Sequence, residues 1–83
     1  MTSQAEVPFA VQLGYAAQAM RRKAASLKHH LEITPHYKIT GLESFKIKVA
    51  AQFLAYDEFD KVARAAIQTQ VDYDNYVAIR DKE

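Results

Sequence analysis

The clearest pattern along the chain is a stripe of apolar residues near its start. Ala10, Leu13, Ala17, Met20, Ala24, Leu27 and Leu31 follow one another at alternating steps of three and four. That spacing keeps all of them on one side of an α-helix. The stripe divides into two columns, one of Ala10, Ala17, Ala24 and Leu31, the other of Leu13, Met20 and Leu27. Small side chains let a second helix come close, and the large column supplies apolar area. The pair is a packing seam suited to a lengthwise, shallow-angled helix contact. Gln12, Gln18, Arg22, Ser26 and His29 fall off this seam. Pro8 suits a first helical turn, where its missing N–H has no partner to lose. Pro35 pushes the residue before it out of helical geometry. A long first helix is therefore predicted from about Pro8 to Ile33.

Thr34 to Gly41 reads as a connection, and two readings compete beyond it. In the first, Thr40 and Glu43 have capping-box spacing and open a helix. Leu42, Phe45, Val49, Phe53 and Tyr56 would then line one face. In the second, Tyr37 and Ile39 alternate with Lys38 and Thr40, and Phe45, Ile47 and Val49 alternate with Lys46 and Lys48, as in a β-hairpin. Gly41-Leu42-Glu43 is a poor hairpin loop, because a three-residue loop prefers glycine last. Asp57 can cap a further stretch in which Phe59, Val62, Ala63, Ala66, Ile67 and, at its end, Val71 share a face, or the preceding helix runs on without a break. A short, fraying helix over 73–83, capped by Asp72 or Asp74, would bring Tyr76, Val77 and Ile79 to the core.

These elements predict one all-α domain over 1–83, a small helical hairpin or three-helix domain with a long first helix. Residues 1–7 read as a flexible N-terminus. The alternative is α+β, in the order α-β-β-α with a short β-hairpin at 37–49.

At 83 residues a domain buries only about 60% of its unfolded surface, so a second chain is one way of completing its core. Cysteine is absent, which excludes disulfides, thiol catalysis and zinc ribbons and fits a reducing compartment. Apolar runs fall well short of the roughly 18 residues that cross a bilayer, and the start of the chain lacks a signal pattern. A cytoplasmic protein with no membrane partner is expected.

The net charge of +1 conceals an asymmetry. Arg21, Arg22, Lys23, Lys28, Lys38, Lys46 and Lys48 lie between positions 21 and 48, opposed there only by Glu32 and Glu43. From Val49 onward acids outnumber bases. Such a dipolar chain can attract an anionic partner or another copy of itself. The seven cations are candidate partner-binding or nucleic-acid-binding residues. Interleaved Tyr37 and Phe45 add to the nucleic-acid reading, but the pI of about 8.0 lies below the strongly basic range of such domains and no binding signature is present.

Candidate chemistry is sparse. His29, His30, Glu32 and His36 have no recognised metal spacing, and histidine near a helix C-terminus is favourable on electrostatic grounds alone. Ser3, Ser26 and Ser44 lack a nucleophile context, and two glycines cannot build a phosphate loop. No catalytic residue, metal or cofactor is expected. The sequence points to a small non-enzymatic binding protein of regulatory adaptor or inhibitor type. It is expected to act through protein–protein contact and to self-associate through the first helix. Nucleic-acid binding by the 21–48 segment is the alternative.

Overall fold

The computed structural model describes residues 7–82, and they form three helices: α1 (Phe9–Ile33), α2 (Leu42–Ala66) and α3 (Gln70–Arg80). Residues 1–6, most of the predicted N-terminal tail, and Glu83 lie outside the described residues. The all-α reading holds. The hairpin alternative over 37–49 does not, since that segment contains a single 3₁₀ turn, His36–Lys38, and the start of α2. The alternation that suggested strands coexists with a helical period: Phe45, Val49, Gln52 and Tyr56 are at least half-buried, whereas Ile47 is exposed. Burial of that helical face, together with the unfavourable loop glycine, decides for helix.

α1 begins where expected. Pro8 is its N-cap, and the Pro8 carbonyl accepts from the Val11 and Gln12 amides at 3.1 and 3.2 Å. It ends at Ile33 as the chain turns extended through Thr34 and Pro35. The start of α2 differs from the capping-box expectation. Gly41 is its N-cap, in left-handed geometry (φ 69°), and no side chain caps it. Glycine meets that sharp reversal at no steric cost, so the Thr40–Glu43 box is not needed. Nor does Asp57 start a new helix; α2 runs through it unbroken. α3 begins three residues earlier than predicted. Its cap is neither Asp72 nor Asp74 but Thr69, whose hydroxyl accepts from the Asp72 amide at 3.1 Å. Gln70 supports this first turn by donating to Asp74 at 2.9 Å.

α2 returns antiparallel beside α1, and α3 then runs parallel to the first half of α1. α1 packs against both. Because α3 has only 11 residues against 25 in each of the others, the far half of the molecule is a two-helix layer. The shape follows: 50 × 26 × 19 Å, with a radius of gyration of 16.0 Å, against roughly 12 Å for a compact chain of this length.

The core sits at the three-helix end and gathers Ala10 and Ala17 of α1, Ala63 of α2 and Tyr76 of α3, flanked by Leu13, Tyr56, Phe59, Ile67 and Val77. Ala17, Ala24 and Tyr76 are completely buried. The side of α1 facing α3 contains two residues that the apolar pattern passed over. At Gly14 an added Cβ would lie 2.8 Å from Ile79 Cβ and 3.1 Å from the Tyr76 carbonyl oxygen. Only hydrogen fits there. One turn on, Gln18 is buried despite its polarity. Its Nε2 donates to the Ile79 carbonyl at 3.1 Å and to that of Lys82 at 2.7 Å. Arg21 adds a donation to the Arg80 carbonyl at 3.2 Å. The last carbonyls of a helix have no partner within it, so α1 supplies the C-terminal cap of α3.

Replacing Gly14 with alanine tests this contact. Alanine favours an isolated helix by about 1 kcal/mol, yet overpacking a close contact costs about 1–3 kcal/mol. Here one obstructing atom is backbone and the other the fixed root of a side chain. We expect a lower urea midpoint for Gly14→Ala; a raised midpoint would mean that α3 does not approach so closely.

Candidate interaction surface

The seam predicted on α1 is filled from within the chain. Ala10, Ala17 and Ala24 are at most 4% exposed, and Leu13, Met20, Leu27 and Leu31 are partly buried. Any self-association must use another face.

The seven candidate cations are not brought together. Arg21 is turned inward to the Arg80 carbonyl. Arg22, Lys23 and Lys28 are exposed, but a 100° rotation per residue distributes them around α1. Lys38 lies in the connection, its ammonium 5.9 Å from the centre of the neighbouring Tyr37 ring. Lys46 sits 3.7 Å from Glu43, both exposed, and Lys48 is exposed farther along α2. The histidines do not converge either. The ring of His30 lies 5.4 Å from that of Phe45, and its Nδ1 is 3.2 Å from the Thr34 hydroxyl. Among the described residues no group of three potential metal ligands exists.

The concentrated polar chemistry is a link between α2 and α3. The Asp60 carboxylate accepts from the Tyr76 hydroxyl at 2.6 Å and from Arg80 Nη1 at 2.9 Å, and lies 3.4 Å from Arg64 Nε. Arg80 also pairs with Asp81 through two hydrogen bonds and lies over the Tyr76 ring. Burial alone raises the Asp60 carboxyl, but the hydrogen bonds from Tyr76 and Arg80 outweigh it and hold the group below its ordinary value. Tyr76 is raised, first by burial and then by its bond to Asp60. A cleft of about 230 Å³ lies away from this cluster, at the base of the molecule, between Pro8–Ala10 and Ala66–Thr69, with Asp72 at its edge. The cluster is a clasp that holds α3 against α2.

On α2, three large apolar residues are exposed on one side of the helix. Ile47, Leu54 and Val62 are 69%, 61% and 66% exposed. They are separated by seven and eight residues, two helical turns each, so they lie along one side over about 22 Å. Ala50, Ala51 and Ala55 lie beside Ile47 and Leu54 and are exposed too, and Glu58, also exposed, sits one turn from both Leu54 and Val62 on the same side. The inward face of the same helix (Phe45, Val49, Tyr56, Ala63) is already committed to α1 and α3. α2 is thus apolar on opposite sides, a composition suited to a helix covered on both. The sequence signal was present in the heptad step from Ile47 to Leu54, but the stronger stripe through Phe45, Val49 and Tyr56 masked it. Of the other exposed large apolar residues, Phe9, Tyr15 and Ile33 are spread along the length of α1, and Val7, Tyr37 and Val71 lie outside both long helices.

No family model matches this chain, and neither a curated protein nor a solved structure shows significant similarity to it.

The clasp predicts a pH dependence. A carboxylate with a lowered folded-state pKa stabilises the fold above its unfolded value, and that stabilisation is lost as pH falls through the folded value. Thermal stability should therefore decline below about pH 4. Asp60→Asn should be less stable at neutral pH by about 1–3 kcal/mol and show a shallower acid decline. Parallel acid profiles for the two proteins would contradict the clasp.

Proposed function

We propose that this chain is a small, non-enzymatic binding protein that acts through protein–protein contact, as a regulatory adaptor or inhibitor. The outer apolar side of α2 carries this reading. Contiguous exposed apolar surface is uncommon on a monomer that works alone, and where it occurs it marks an interaction site. Rigid presentation on a continuous 25-residue helix suits recognition of another helical or flat apolar surface. Leu54, midway along the stripe, is the anchor, and the charged residues beside it form the rim.

The scattered cations give less support to nucleic-acid binding, because a phosphate track needs them aligned. No helix among the described residues is long and apolar enough to cross a membrane. A cysteine-free composition fits work in the reducing cytoplasm.

The test is affinity capture from the source cells under nuclease, comparing wild type with Leu54→Glu and with Val71→Glu. Val71 is equally exposed but lies on α3. We expect a protein partner retained by wild type and Val71→Glu and weakened at least tenfold by Leu54→Glu, with the helical circular dichroism of all three unchanged. Loss of everything retained on nuclease treatment would overturn the reading in favour of nucleic acid. A partner held equally by Leu54→Glu would remove α2 from it.

A further inference from the structure

We infer that the outer side of α2 docks a second copy of this chain, α2 against α2 and antiparallel. This inference rests on the reading of that side as a protein-binding surface and names its partner.

The argument comes from how charge is arranged beside the stripe. Along one edge of the outer side, in chain order, come Glu43, Lys46, Asp57 and Lys61, all exposed. When two identical helices pack antiparallel, each edge meets the same edge of the other copy, running the opposite way. A two-fold axis passing near position 52 brings Lys46 beside Asp57 of the other copy and Glu43 beside its Lys61. By symmetry each pair occurs twice, giving four opposite-charge pairs and no like-charge pair along that edge. The same axis sets Ala51 against Leu54 of the other copy, small against large, which is the complementarity that a close helix contact requires. Shifting the axis to between 53 and 54 would oppose Lys46 to Lys61, and shifting it to 50 would oppose Glu43 to Asp57. A parallel pairing would set this edge against the opposite edge of the other copy, where Lys48 is the one charged residue of α2, and would forfeit these pairs. One arrangement therefore satisfies both the apolar stripe and the charges. The seam of α1 cannot serve, since Ala17 and Ala24 are completely buried within the chain.

Charge steers and orients such a pair, while the apolar stripe supplies the attraction. Four antiparallel long helices would result, with the two α2 helices at the centre and each α1 outside. Ile47 and Leu54 would become core residues.

Purified full-length protein tests this. Light scattering should give twice 9.4 kDa at high concentration and the monomer mass on dilution. Leu54→Glu should remain monomeric with unchanged helical content. Lys46→Glu and Asp57→Lys should each weaken dimerisation about tenfold, and an equimolar mixture of the two should recover it as a heterodimer, in which every facing pair is again of opposite sign. The absence of cysteine allows a direct test of direction. In the antiparallel pair the two copies of position 51 lie close to the two-fold axis, but those of position 47 are about 15 Å apart along the helices. Ala51→Cys should oxidise readily to a disulfide dimer and Ile47→Cys should not. A wild-type monomer at high concentration, a dimer insensitive to Leu54→Glu, or efficient cross-linking at position 47 would each overturn the inference. A wild-type monomer that still captures a different protein, lost with Leu54→Glu, would do so while leaving the proposed function standing.

Discussion

How closely α3 can approach α1 governs the rest of this structure. α3 has only 11 residues, too few to hold a helix by propensity alone. Its stability comes from contact, and contact is possible because Gly14 leaves room for Ile79 and for the Tyr76 backbone. With the helices that close, the Gln18 amide reaches two carbonyls at the end of α3 and Arg21 reaches a third. The same approach seats Tyr76 in the core and brings its hydroxyl to Asp60 on α2. Removing the space at Gly14 would loosen cap, core and clasp together.

The two ends of the molecule follow from this dependence. At one end three helices enclose a small core. At the other, α1 and α2 continue without α3, and their large apolar residues remain partly exposed. The row of α1 that faces α3 changes character there, from Gly14, Gln18 and Arg21 to Lys28 and Glu32, so a longer α3 would find nothing to pack against. The elongated shape, with its 50 Å long axis, records the difference. It also leaves α2 uncovered on its outer side, where burying a large aliphatic side chain offers about 1.5–3 kcal/mol.

Much of this was legible in the sequence, and what was not has physical causes. The first helix could be read because its stripe is long and bounded by two prolines. α2 was ambiguous because Phe45 to Val49 fits both a helical and an alternating period, and only burial of one face distinguishes them. The caps were misread for a different reason. Thr40 and Glu43 have suitable spacing, but Gly41 makes the turn by itself, and Thr69 precedes a stretch with little apolar period to announce a helix. Gln18 could not be recognised as core, because a polar residue becomes a core residue only through the carbonyls another element brings to it. Arg21, one of the candidate binding cations, is held by the same end of α3. The outer stripe of α2 was present in the letters, but a stripe shows what a helix could bury and not which side its own chain will use.

Two apolar faces divide the work: the α1 seam is core, and the α2 outer side is the interface we propose. Methyl NMR with a soluble paramagnetic probe reads both at once, in dilute and in concentrated samples. The Ala17 and Ala24 methyls should be shielded at every concentration. Those of Ile47 and Leu54 should be bleached when dilute and shielded when concentrated. Shielding of Ala17 and Ala24 that develops only on concentration, or Ile47 and Leu54 methyls equally accessible throughout, would contradict this division.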